Sequence, residues 1–344
     1  MQQKSNQRVI YLDLLRVIAT FAVILLHVSA REFLSYSYSW DWCIATIGDS
    51  LVRWGVPVFF MISGTLFLNP NKEITYQEIL KKRIPRLLLA YVFWVLLYHV
   101  YGFVLGGFDG FTIKQLFRKA IEFPHFHLWF LPKLMGVYFL IPMLRKIAQD
   151  NRLLRYALII WIVFVFVSFF QFVEAFKLVK HFYGLFNMNK IVGFSGYFLL
   201  GYFLSWHDFS RKQRIWIYMF GIVGALVTIF GTICVSVKMS KAVERYLHSL
   251  APQVPAMATA LFVLVKELAP KCGTRTLKFV GFVRKDLFGI YLTHPLWLFI
   301  NTVEFRHCCS EIITLPIITI IVFLLSLFTT KLIRLVPYLR KVVE

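Results

Sequence analysis

The stretch "LDLLRVIATFAVILLHVSA", residues 12–30, is a hydrophobic helix interrupted by Asp13, Arg16 and His27. An imidazole titrates near neutrality and can take up and return a proton. A guanidinium holds anionic groups through several donors at once. His27 follows Arg16 by eleven positions, which on a helix is a rise of about 16 Å and a rotation of about 20° beyond three full turns. The two therefore share a face. Asp13 precedes Arg16 by three positions, close enough to pair with it. Charged groups at bilayer depth cost roughly 2.5–3.5 kcal/mol each on insertion scales and turn toward a partner or a wet cavity. Two readings follow for this helix alone: its polar face points into a bundle, or the Asp13–Arg16 pair snorkels at the cytoplasmic boundary with His27 at the outer interface.

The elements around this helix are of the same kind. The chain has 344 residues, is 59% hydrophobic and only 16% charged, with a mean hydropathy of +0.68, outside the soluble range. Apolar stretches of spanning length recur at 9–29, 48–68, 86–107, 127–145, 156–173, 190–206, 215–237, 252–268, 285–302 and 312–332. The expectation is an all-α, polytopic membrane helix bundle of about ten transmembrane helices, a single domain over 1–344. The segment between the fifth and sixth stretches is mixed and interfacial in character. The formal charge of +21 follows topology rather than nucleic acid: with the N-terminus inside, inner segments carry roughly twice the Lys and Arg of outer ones, which puts both termini in the cytoplasm. The basic inner face suits anionic lipid head groups or a polyanionic cofactor.

Several chemistries are excluded or disfavoured. The five cysteines show no metal-ligand spacing, and adjacent Cys308 and Cys309 do not suit disulfide geometry. No metal is expected. There is no phosphate-cradling Gly loop of the ATP-driven kind. A cleaved signal peptide, with "VSA" at 28–30 as its cleavage site, fits poorly, since Asp13 and Arg16 sit beside the apolar core and cleavage would reverse the charge logic.

The pattern of Arg16, "VIATFAVILL" and His27 resembles acyltransferase family 3, polytopic membrane acyltransferases whose first helix bears an Arg, ten residues and a His. Four further stretches are similar in the same order: "RWGVPVFFMISGTLFLN" (53–69), "HLWFLPKLMGVYFLIPML" (127–144), "GYFLLGYFLS" (196–205) and "LFGIYLTHPLW" (287–297). Val17 stands where many members carry Gly, which would permit a closer helix approach. The chain resembles stand-alone members without an appended hydrolase-like domain. The resemblance implies acyl transfer, commonly of acetyl, from an acyl coenzyme A to a hydroxyl of a cell-envelope polysaccharide or lipid-linked glycan. The expected setting is a bacterial inner membrane, with acyl-CoA as donor substrate, no permanently bound cofactor and no nucleic-acid partner.

Acyl transfer needs a base, oxyanion stabilisation and a donor site. His27 is the candidate base, acting either in direct transfer or through a covalent acyl-His intermediate. Arg16, supported by Asp13, is placed to hold the donor's polar groups, its phosphates meeting basic loops such as "KKRIPR" (81–86) unless that run is ordinary positive-inside bias. His127, in "HFHLWF", is read as a second base, oxyanion donor or acceptor ligand, or else as an interfacial His; His125 is the lesser candidate. His294 lines the donor channel or makes an interhelical hydrogen bond, next to Pro295, which frees a carbonyl and bends the helix. Asp49 and Arg53, four residues apart, form a structural ion pair or contact the acceptor. Trp129 anchors the chain or stacks on a sugar, Asn189 and Lys190 are weaker acceptor contacts, and Gly64 is a helix-packing residue. The outer clustering of His27 and His127 places acceptor entry on the extracytoplasmic side. The competing classes are a transporter or flippase of a lipid-linked sugar and a membrane sensor. The chain's two halves show no convincing repeat to support a transporter.

Overall fold

The computed structural model describes residues 2–105, 112, 114, 127–170, 193–300 and 309–344. Asn189, Lys190, His125 and Cys308 lie outside them. The described residues form helices and no strands. In chain order the main helices are α1 (Gln2–Ser35), α2 (Trp40–Leu51), α3 (Gly55–Phe67), α4 (Ile84–Leu105), α5 (Phe130–Phe139), α6 (Ile141–Gln149), α7 (Asn151–Phe170), α8 (Ser195–Trp206), α9 (Arg211–Met239), α10 (Gln253–Leu268), α11 (Thr274–Val283), α12 (Leu287–Thr293) and α13 (Glu311–Leu335). Among the described residues six helical segments are long and apolar enough to cross a membrane: 10–35, 40–67, 76–102, 151–169, 211–239 and 311–335. Two shorter apolar helical segments, Phe130–Phe139 and Leu287–Ile300, join them.

Two of the spanning helices turn small and hydroxyl residues inward and large apolar ones outward at several positions. On α9 the buried residues are Gly221, Gly224, Thr228, Thr232 and Ser236, while Trp216, Phe220, Val223 and Phe230 face outward. On α13 Thr319, Ser326 and Thr330 are buried, and Ile317, Leu324 and Phe328 are exposed. Hydrocarbon outside removes the hydrophobic drive to bury large side chains, so small residues that allow close approach occupy the interface instead. Three of these inward hydroxyls bond within their own helix: Thr228 donates to the Gly224 carbonyl at 2.7 Å, Thr319 to that of Leu315 at 2.7 Å and Thr330 to that of Ser326 at 2.7 Å.

Three apolar stretches that read as continuous spans are broken, each near a proline. Pro57 has no N–H for the Arg53 carbonyl and crowds it, and the chain turns at residues 52–54, between α2 and α3. Pro142 follows the junction of α5 and α6. Pro295 ends α12, and the chain continues as a tighter helix over His294–Ile300. α1 runs through the centre, packing against α2, α3, α10, α11, α12 and α13. Val17 packs in an apolar cluster with Val280, Val283 and Leu287.

Gly64 is a packing residue, as its sequence context implies. A Cβ there would lie 1.9 Å from the Phe198 carbonyl oxygen, and one at Gly201 would lie 2.0 Å from that of Met61. α3 and α8 therefore touch backbone to backbone, and Thr65 donates across the seam to the Gly201 carbonyl at 2.9 Å.

Candidate active site

Two cavities open at different levels along α1. The first, about 660 Å³, opens beside the N-terminal half of α1 and carries six cations, Arg16, Lys72, Arg83, Arg86, Arg284 and Lys285, against Glu73, Glu78 and Glu344. Most of its remaining wall is apolar, including Phe59, Leu66 and Phe288. The second, about 440 Å³, lies beside the C-terminal half of α1 and is lined by His27, His127, Arg31, Arg53, Trp129 and Glu244 among others. Phe130 and Tyr291 line both.

In the first cavity Arg16 is held by Asp13 at 2.8 Å. Asp13 is 7% exposed and also lies 3.6 Å from Arg284. It lines neither cavity and instead aims two guanidinium groups that do. Arg16 thus faces a cation-rich cavity. The basic run at 81–86 contributes Arg83 and Arg86 to the same cavity. Partial burial pushes the Glu344 carboxyl up, and the Arg340 and Arg334 guanidinium groups outweigh that, so its pKa lies below the ordinary carboxylate value.

Beside the second cavity three histidines from distant parts of the chain meet. The ring of His294 stacks on that of His27, centroids 5.2 Å apart and planes 24° from parallel. His127 meets His294 edge to face at 5.3 Å, and Tyr98 meets His127 at 5.1 Å. His127 and His294 are buried, whereas His27 is half-buried and faces the cavity. His294 lines neither cavity. Its placement follows from Pro295: with no N–H at that position, the Tyr291 carbonyl loses its helical donor, and His294 Nδ1 takes the place at 2.6 Å. A carbonyl only accepts, so Nδ1 is the donor in this contact. The Tyr291 hydroxyl donates to the His127 carbonyl at 2.5 Å and the Tyr98 hydroxyl to the Leu292 carbonyl at 2.6 Å. α4, α5 and α12 are thereby tied at the histidines.

Asp49 and Arg53 form an ion pair, with Asp49 fully buried on α2 and Arg53 in the break before α3. Arg53 also lines the second cavity, so the structural and ligand-facing roles coexist in one side chain. Trp129 lines the same cavity, with the Lys133 ammonium 4.5 Å from its ring centroid, a cation–π contact.

Sequence reasoning missed Tyr291, Tyr98, Arg31, Glu244 and Ser249. Arg31 follows His27 by four and Tyr291 precedes His294 by three, helical spacings that carried a signal. Glu244 and Ser249 reach the cavity from the connection between α9 and α10, which has no local signature. Among the described residues no three His, Cys, Asp or Glu side chains gather as a metal site.

Two cavities that share lining residues beside a histidine cluster, each carrying charged groups on largely apolar walls, suit transfer of a group between two substrates. Comparison with known proteins agrees. Searches of curated proteins and of solved structures returned no match. The model of an acyltransferase domain matches residues 9–331, nearly the whole chain. This multi-pass membrane protein belongs to acyltransferase family 3.

Proposed function

We propose that the protein is an O-acetyltransferase of a bacterial inner membrane, transferring acetyl from acetyl-CoA to a hydroxyl of a cell-envelope polysaccharide or lipid-linked glycan. The reading includes about ten spans with both termini in the cytoplasm. The observation that carries it is the meeting of a cation-rich cavity and a histidine-bearing cavity at a shared wall along one face of α1.

The donor enters the cavity of Arg16, where Arg83, Arg86 and Arg284 neutralise its phosphates, and its pantetheine arm runs along α1 toward His27. The acceptor hydroxyl lies in the second cavity. Its oxygen attacks the thioester carbonyl carbon as His27 removes its proton. The tetrahedral oxyanion collapses, the carbon–sulfur bond breaks, and the His27 imidazolium returns the proton to the leaving thiolate. His294 keeps the His27 ring oriented through stacking. Arg53 and Trp129 contact the acceptor.

The test is label transfer from radiolabelled acetyl-CoA to envelope glycans in membranes holding the wild-type chain, His27→Ala or neither. Wild-type membranes transfer label. His27→Ala, at equal protein level, falls by at least about 10²-fold, the low end of a general base's contribution. Full activity in His27→Ala removes His27 as the base. Movement of an unmodified lipid-linked sugar across the membrane with no label transfer supports a flippase instead.

A further inference from the structure

Phe130 and Tyr291 are the two residues common to the linings of both cavities, and their rings contact each other at 5.6 Å and 67°. The two are not held alike. Tyr291 is fastened by its hydroxyl to the His127 carbonyl. The Phe130 side chain carries no hydroxyl to tether it and packs on Phe59 at 5.9 Å and Phe60 at 5.1 Å. One ring is a tethered wall and the other is held by packing alone.

We propose that Phe130 and Tyr291 form an acyl-size sieve that restricts the donor to very short acyl groups, with Phe130 setting the limit. The inference rests on the transferase reading and adds to it which thioesters are used. For His27 to serve the reaction, the thioester carbonyl must come up from the cation-rich cavity to the partition. Every methylene beyond acetyl then enters either the ring-to-ring contact or the cavity the acceptor must occupy. Both routes cost packing or displace substrate, and one misplaced methylene in a tight apolar site changes selection by about 10-fold or more.

The experiment measures transfer from acetyl-, butyryl- and hexanoyl-CoA, each labelled in the acyl group, by membranes of the wild type, Phe130→Ala and Phe130→Leu. The readout is the ratio of acetyl to hexanoyl rates at saturating donor. The wild type is expected to favour acetyl by about 100-fold or more, and Phe130→Ala to narrow that ratio by about 10-fold or more, with Phe130→Leu between. An unchanged ratio in both variants overturns the sieve. So does a wild type that uses hexanoyl-CoA as readily as acetyl-CoA. Loss of acetyl transfer in both variants at wild-type protein levels overturns it as well, because a loosened sieve still passes the smaller group. A wild type that transfers no acyl group from any of the three is a different failure, of the transferase reading itself.

Discussion

At the residue scale, the buried ion pair of Asp49 and Arg53 separates two roles that one substitution confounds. Asp49 is fully buried, so Asp49→Ala leaves the Arg53 charge without its partner, a loss that costs about 3–5 kcal/mol in comparable sites. Replacing both by apolar side chains of similar size, Asp49→Leu with Arg53→Met, removes the stranded charge and is expected to restore most of that stability. Thermal unfolding in detergent checks both. Transfer activity gives the second readout: if Arg53 holds the acceptor, the double variant is stable yet slow, with KM for the acceptor raised. A stable double variant with wild-type KM confines Arg53 to a structural role. Both residues were visible in the sequence as an i, i+4 pair, but their burial was not, since it depends on how α2 packs against its neighbours.

At the scale of elements, the site depends on helices that break in defined places and on a seam that does not give. The breaks at Pro57 and Pro295 are local consequences of a missing N–H, and they deliver Arg53 and His294 to their positions. The α3–α8 seam is the opposite case, set by contact. At Gly201 a side chain has no room, because the Met61 carbonyl oxygen lies 2.0 Å from where its Cβ would be. Gly201→Leu is expected to force the two helices apart and destabilise the protein by about 1–3 kcal/mol or more. Gly136, whose added Cβ would meet nothing within 4 Å, is the control: Gly136→Ala is expected to leave the melting temperature within a few degrees of wild type. Equal melting temperatures for the two variants would mean that the seam is looser than its geometry implies.

At the scale of the whole molecule, the proposed transfer is sided, because its two cavities lie at different levels along α1. Under the proposed topology, with both termini in the cytoplasm, acetyl-CoA supplied to sealed vesicles on the cytoplasmic face is expected to support label transfer, and acetyl-CoA on the other face is not until the membrane is permeabilised. Protease protection of terminal tags reports the orientation of each preparation. Equal transfer from both faces would contradict a donor site open to one face alone. Raising ionic strength is expected to weaken donor use, because the cations of the first cavity act on a polyanion and are partly exposed.

The sequence by itself determined the helical class, the apolar stretches, the shared face of Arg16 and His27 and the family resemblance. These rest on composition, on a helical period that acts within a few turns, and on motif order. It also placed Pro295 as the residue that frees a carbonyl, since the missing N–H is a property of the residue itself. Only the tertiary structure decided which group takes that carbonyl, that His294 stacks on His27 and lines neither cavity, and that Asp13 pairs with Arg284 as well as Arg16. The same holds for Phe130 and Tyr291, which are distant in sequence and meet at the wall between the cavities. Such meetings follow from the packing of whole helices in three dimensions, where small inward residues and proline breaks set approach and direction, and no local period encodes which distant side chains then come into contact.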